Sequence, residues 1–268
     1  MKSANRQNET SALPFERVLR AFEEAGVRHL IIGGQAAVAY GASQFTQDAD
    51  FWIEPTASNL ARLRHALTAL NAKPRFLPPL ELRHLKRGHG IHFIFHHGNE
   101  AFYIDLLGKP PRVDSFAGAW SDAMILNWRG LQIHIMDVRR LVDTKKTNRE
   151  QDYIAIQRLA EHVYRQTRRE PKHRKAALEW LLAELRTPRY LKTVARRWPG
   201  AKTALKNTSR PAALLAAENA GAAEIQAALD EEKSKYQKAN LDYWKPLLKE
   251  LRQIKREMIA SRRRSGKR

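Results

Sequence analysis

Residues 30–53 read LIIGGQAAVAYGASQFTQDADFWI. Gly33 and Gly34 end the apolar run from Val27 to Ile32 and open a helix-like segment, and further on Asp48 and Asp50 flank a single alanine. Side chains at i and i+2 of an extended segment lie on one side of a sheet, so the two carboxylates converge where a divalent cation would sit. Charge inside an otherwise apolar strand is costly unless it is paired or binds metal. Glycines before a helix leave backbone N–H groups unobstructed for a triphosphate. Singly, Gly-Gly reads as a tight turn and Asp-x-Asp as a solvent-facing strand. Together they form a layout for phosphate chemistry.

With Gly41 and Thr46 in place, the run from Leu30 to Ile53 resembles the signature of the nucleotidyltransferase superfamily with a polymerase-β-like fold. It is most similar to the small bacterial branch related to abortive-infection toxins, in which Gly-Gly, a short helix ending in Gly, Thr and Asp-x-Asp recur. Two residues depart from that branch: Tyr40 stands where His is frequent, and Gln44 where Arg is usual. Loss of that Arg implies reduced activity or an altered choice of nucleotide.

The resemblance implies transfer of a nucleoside monophosphate from an NTP to an acceptor hydroxyl, with release of pyrophosphate. Asp48 and Asp50 would hold two Mg²⁺ ions, and a third carboxylate on a neighbouring strand would bind one of them and help to activate the acceptor oxygen. Ile91–Phe95 and Ala101–Leu107 are two extended runs joined by His96-His97-Gly98-Asn99-Glu100, which predicts a hairpin. Alternation in the second run puts Tyr103, Asp105 and Leu107 on one face, so Asp105 is the match to the third acid. Its bland alternative is a charge on a solvated edge strand. A second similar stretch, Asp137 to Glu161, carries Lys145, Lys146, Arg149 and Asp152 in the positions of the branch's post-catalytic segment. The nucleotide-binding set implied is Gly33, Gly34, Thr46, Lys146 and Arg149, the cations neutralising phosphate charge. The competing reading of Arg149 is an i, i+3 pair with Asp152 that supports a helix start.

The chain's 268 residues, 43% of them hydrophobic, suffice for one large domain or two modest ones. The absence of cysteine excludes disulfides and thiolate metal sites and fits a reducing cytoplasm. The N-terminal MKSANRQNETSALP lacks the apolar core of a signal peptide, and Leu30–Ala42 is too short to span a bilayer, so no membrane association is expected. Charge is unevenly spread: residues 1–163 carry 21 Lys and Arg against 17 Asp and Glu, and residues 164–268 carry 27 against 11, out of a net +20. Such a balance disfavours small cationic acceptors and favours RNA, tRNA above all, as the acceptor, bound through the basic C-terminal part. A toxin would also require an antitoxin protein as partner. Three other readings stand beside this one: transfer to a protein hydroxyl, a non-catalytic nucleic-acid-binding protein on a retired transferase fold, which Gln44 favours, and an interaction module whose basic helices dock an acidic protein.

Periodicity predicts an α+β protein of two parts, and the resemblance implies that the first, residues 1–163, is a mixed-sheet nucleotidyltransferase domain, followed by a basic all-helical domain over 164–268. The first is expected to hold strands at Arg28–Ile32 and Asp48–Ile53, helices at Gln35–Tyr40 and, capped by Thr56 or Ser58, through Leu60 to Leu70, a loop at Asn71–Pro79, a short helix near Trp120, and a second hairpin turning at Arg129-Gly130. The second holds helices at Ala176–Leu185, Tyr190–Trp198, Pro211–Asn219, Ala223–Tyr236 and Tyr243–Ser261, separated by Pro, Gly or Asn. The like-charge run from Arg262 to Arg268 predicts a disordered tail. Five histidines between His84 and His97 fit no metal-ligand spacing and read as surface or RNA-contacting residues.

Overall fold

Described over residues 13–43 and 48–265 in a computed structural model, the chain is α+β, with a seven-stranded mixed sheet and a long helical region. It divides into two units, one of residues 1–36, 45–144 and 243–268, the other of residues 37–44 and 145–242. In chain order the elements are α1 Pro14–Glu24, β1 His29–Ile31, α2 Gly33–Ala39, β2 Asp48–Ile53, α3 Ala57–Ala69, β3 Lys73–Pro74, α4 Leu82–Arg87, β4 Ile91–His97, β5 Glu100–Leu107, α5 Phe116–Ser121, β6 Met124–Trp128, β7 Leu131–Ile135 and α6 Val138–Thr144. They continue with α7 Glu150–Arg169, a 3₁₀ turn at Pro171–His173, α8 Arg174–Glu184, α9 Pro188–Arg197, α10 Ala201–Leu205, α11 Pro211–Ala217 and α12 Ala222–Ser265.

In the first unit the strand order is β3-β4-β5-β2-β1-β7-β6. β2 runs parallel to β5 and β1 parallel to β7, and the other neighbours are antiparallel. Period-two alternation decides what each face carries. Ala49 and Phe51 on β2, Phe93 and Phe95 on β4 and Ile104 and Leu106 on β5 are buried, and Phe22 of α1 packs against Phe51 with ring centroids 5.0 Å apart. Asp50, His92, Tyr103 and Asp105 alternate with them and are only half-buried, which leaves the opposite face of the strands open at these positions. Thr56 caps α3 by accepting a hydrogen bond from the Asn59 N–H at 3.3 Å, and Leu60, Leu63 and Leu67 form its buried stripe. The residues of α12 from Tyr243 onward belong to this unit. There Glu250 accepts hydrogen bonds from Arg87 Nη2 at 2.6 Å and Nε at 2.9 Å, and lies 2.9 Å from His89 Nε2.

The second unit is helical and packs its own core from Tyr164, Leu178, Leu181, Leu191, Val194 and Ile225, among others. Its polar framework is partly buried: Lys146 and Glu184, both buried, pair at 2.7 Å, and buried Arg186 and half-buried Arg210 both reach Glu232 at 2.7 Å.

Several sequence expectations change. Asn71–Pro79, expected as loop, contains the two-residue edge strand β3, and α4 and α10 were not foreseen. The two expected helices at 223–236 and 243–261 are one helix, α12, with Pro246 inside it. A proline removes one i→i−4 hydrogen bond, a loss this helix sustains. The backbone is helical as far as Ser265, and residues 266–268 of the expected tail lie outside the described ones. His84 and His89 are buried rather than on the surface. The sequence boundary at 163 falls inside α7.

Candidate active site

The carboxylates read from the sequence meet on the open face of the sheet. Asp50 on β2 and Asp105 on β5 are direct cross-strand partners, and Asp105 in turn faces His92 on β4. One register therefore carries Asp50, Asp105 and His92 across three adjacent strands, all on one face. Two residues back along β2, Asp48 opposes Tyr103 and points to the same face.

Gly33 explains how Asp50 fits. It has φ +61°, and a Cβ there would lie 2.5 Å from Asp50 Cγ and 2.7 Å from Asp50 Cβ, closer still to Oδ2. The space that a side chain would fill at this turn is taken by the Asp50 carboxylate. The same carboxylate accepts a hydrogen bond from the Gly34 N–H at 3.3 Å, and the backbone N–H of Ile32 donates to Asp50 C=O at 3.0 Å. The glycine pair and the second aspartate are thus one packed unit.

His92 Nδ1 lies 2.7 Å from Asp105 Oδ1, and the two side chains are 35% and 34% exposed. That hydrogen bond raises the imidazole above its ordinary pKa, against the opposing pull of burial. Asp48 is also raised, first by desolvation and then by the charge of Asp105, with Arg75 opposing. Like charges gathered in a partly desolvated place favour a cation among them. The donor set, three carboxylates, suits a hard divalent ion such as Mg²⁺. Among the described residues, no group of three or more His, Cys, Asp or Glu side chains converges to hold a metal by protein ligands alone. Mg²⁺ commonly takes one or two carboxylates and completes its shell with water and substrate phosphates, so the residues present fit the ion without forming a closed cage.

His92 joins the carboxylates of the candidate site without a signal in the sequence, because its partner is set by strand register, which spacing along one chain does not reveal. Of the remaining site residues, Thr46 and the departure Gln44 lie outside the described residues. Tyr40 packs edge-on against His162 with centroids 5.8 Å apart. In the second unit Lys145 and Arg149 both pair with Asp152, at 3.1 and 2.8 Å, so the helix-start pair weighed from the sequence is present. Lys146 is buried on Glu184 and sits 5.0 Å from the Tyr236 ring centroid.

No known protein-family profile matches the chain, and no curated protein does. Among solved structures it is similar to an antigenic nucleotidyltransferase-like protein from Paracoccidioides brasiliensis, at 13% identity over 63% of this chain and 90% of that one, with a TM-score of 0.38. It is also similar to JHP933 from Helicobacter pylori, at 14% identity over 87% of this chain and 96% of that one, with a TM-score of 0.37. No helix among the described residues is long and apolar enough to cross a membrane.

Proposed function

We propose that the open face of the sheet transfers a nucleoside monophosphate from an NTP to an acceptor hydroxyl, with RNA as the acceptor. The observation that carries this reading is the single register that sets Asp50, Asp105 and His92 side by side, with Asp48 on the same face and Gly33 left bare for Asp50.

In the transfer, the bond from the α-phosphorus to the bridging oxygen breaks, a bond to the acceptor oxygen forms, and pyrophosphate leaves. Mg²⁺ ions held by Asp48, Asp50 and Asp105 would supply charge compensation for the entering and leaving oxygens. Asp105 takes the proton of the acceptor hydroxyl, and His92, bonded to its Oδ1, fixes the direction of that carboxylate. Asp50 is oriented by Gly34 and by the turn at Gly33, so its position is set before any nucleotide arrives. By resemblance, Gly33, Gly34 and Thr46 seat the triphosphate. RNA is favoured by the net charge of +20, most of it carried by residues 164–268.

The test is incubation of the full chain with each α-labelled NTP, Mg²⁺ and total RNA, followed by separation of RNA from protein. Label on RNA that disappears with a chelator, and with Asp48→Asn, is the expected result. Label on protein instead would make a protein hydroxyl the acceptor. No label in either fraction, or label that survives Asp48→Asn, would refute the assignment.

A further inference from the structure

The open face does not end at His92. Beside it, at the edge of the sheet, the Arg75 N–H donates to the His92 carbonyl at 2.9 Å, which anchors the segment after β3. From there the Arg75 guanidinium lies over two rings, 4.3 Å from the centroid of Tyr103 and 4.7 Å from that of Phe76. Phe76 meets the His92 ring edge-on at 5.8 Å and is 56% exposed. These contacts hold the ring in place beside the charged site with more than half of its surface in water. Arg75 and Phe76 also line a cleft of about 810 Å³, whose far wall is one face of α12, with Leu248, Arg252, Lys255 and Met258. Among the described residues, the cleft is lined by three cations and no carboxylate, the rest of its lining being apolar.

Flat rings, a guanidinium stacked on them and cations along a groove are the chemistry that binds single-stranded nucleic acid: bases stack on the rings and phosphates follow the cations. We infer that Phe76, Arg75 and Tyr103 form a stacking platform for a base of single-stranded RNA, with its phosphates on Arg252 and Lys255. The chain of contacts from Phe76 through His92 to Asp105 aims that strand at the carboxylate assigned to the acceptor oxygen. Its role as the acceptor's seat rests on the transfer reading. An acidic peptide would satisfy the cations but would leave the exposed ring and the stacked guanidinium without a purpose.

The test is binding of the full chain to a 5′-fluorescein-labelled single-stranded RNA decamer, followed by anisotropy without Mg²⁺ or NTP. Phe76→Ala is expected to weaken binding by about ten- to a hundredfold, the range for removal of one base–aromatic stack, whereas Phe76→Trp keeps it. Because Phe76 is more than half exposed, its removal leaves the fold in place. A decamer with abasic positions should bind wild type and Phe76→Ala alike. Arg252→Gln with Lys255→Gln should lower the slope of log K against log salt by about 1.4, roughly 0.7 for each phosphate that is no longer neutralised. Equal binding by wild type and Phe76→Ala, or displacement of the RNA by an oligoglutamate peptide at equal concentration, would overturn the platform. The two readings separate cleanly. Phe76-dependent binding without label transfer refutes the transferase and supports the platform; label transfer with Phe76-independent binding does the reverse.

Discussion

Replacing Gly33 by alanine tests the link between backbone and site most directly. The residue has φ +61°, and an L side chain in the left-handed region costs about 1–2 kcal/mol. The added Cβ would also lie 2.7 Å from Asp50 Cβ, well short of an ordinary carbon–carbon contact of ~3.5 Å. Rotating the Asp50 carboxylate away cannot relieve this, because Cβ does not move with χ1. Either β2 or the start of α2 must shift, an overpacking that costs about 1–3 kcal/mol more. Gly41 supplies the control, since it has φ +69° but nothing within 4 Å of an added Cβ. Gly41→Ala should therefore lose only the backbone part, about 1–2 kcal/mol, and Gly33→Ala the larger sum of about 2–5 kcal/mol. Displacing a catalytic carboxylate by ~1 Å is worth about a hundredfold in rate. Urea unfolding and initial rates of label transfer, measured on both variants, give the two numbers. If Gly33→Ala matches Gly41→Ala in stability and keeps the wild-type transfer rate, Asp50 is not positioned by this turn, and the reasoning fails.

Asp48→Asn, Asp50→Asn and Asp105→Ala should each abolish label transfer with circular dichroism and thermal unfolding nearly unchanged; retention of more than about a tenth of the rate, ~1.4 kcal/mol of barrier, would overturn the assignment of that carboxylate. His92→Leu should lower kcat by about ten- to a hundredfold with the KM for NTP unchanged, as for other residues that orient a metal-binding carboxylate, and His92→Asn, which keeps a donor near Nδ1, should restore most of it; equal loss in both variants would make His92 a packing residue only. His29, enclosed by Phe22 and Phe51 at centroid distances of 5.1 and 5.4 Å, has its pKa pushed by burial from 6.5 down to about 4. Between those values the unfolded chain binds the extra proton, so the stability His29 contributes is present above pH ~6.5 and is lost as pH falls toward 4. About 2 kcal/mol should disappear between pH 7 and pH 4.5, and His29→Asn should flatten that part of the unfolding profile; an unchanged profile would refute the assignment.

Much of this site was legible in the sequence because its logic is local. β2 spans the residues that alternation assigned, Asp48–Ile53, and a period of two put Asp48 and Asp50 on one face before any partner strand was known. Asp105 was found the same way, since Phe102, Ile104 and Leu106 marked the buried side of its strand. Residues whose meaning depends on register or on distant chain were not legible. His92 finds its hydrogen-bond partner on a neighbouring strand, 13 positions away. Nothing near Arg87 or His89 announces that Glu250 will bind both. Nor did local breaker rules foresee that α12 continues through Pro246, because packing along a long helix outweighs the loss of one hydrogen bond.

The return of the last helix to the sheet unit has a consequence for how the chain is made. A bond from His89 to Glu250 spans 161 residues, so during synthesis at about 5–20 residues per second the β4 side of the sheet waits roughly 8–30 s for its partner. In that interval nearly all of the second unit, residues 145–242, is completed. The helical unit is therefore born inside an unfinished one, and the cleft beside Phe76 comes into being only when residues near the C-terminus arrive. A ribosome-bound chain stopped before Tyr243 would carry every carboxylate of the candidate site and lack one wall of the cleft that we assign to RNA.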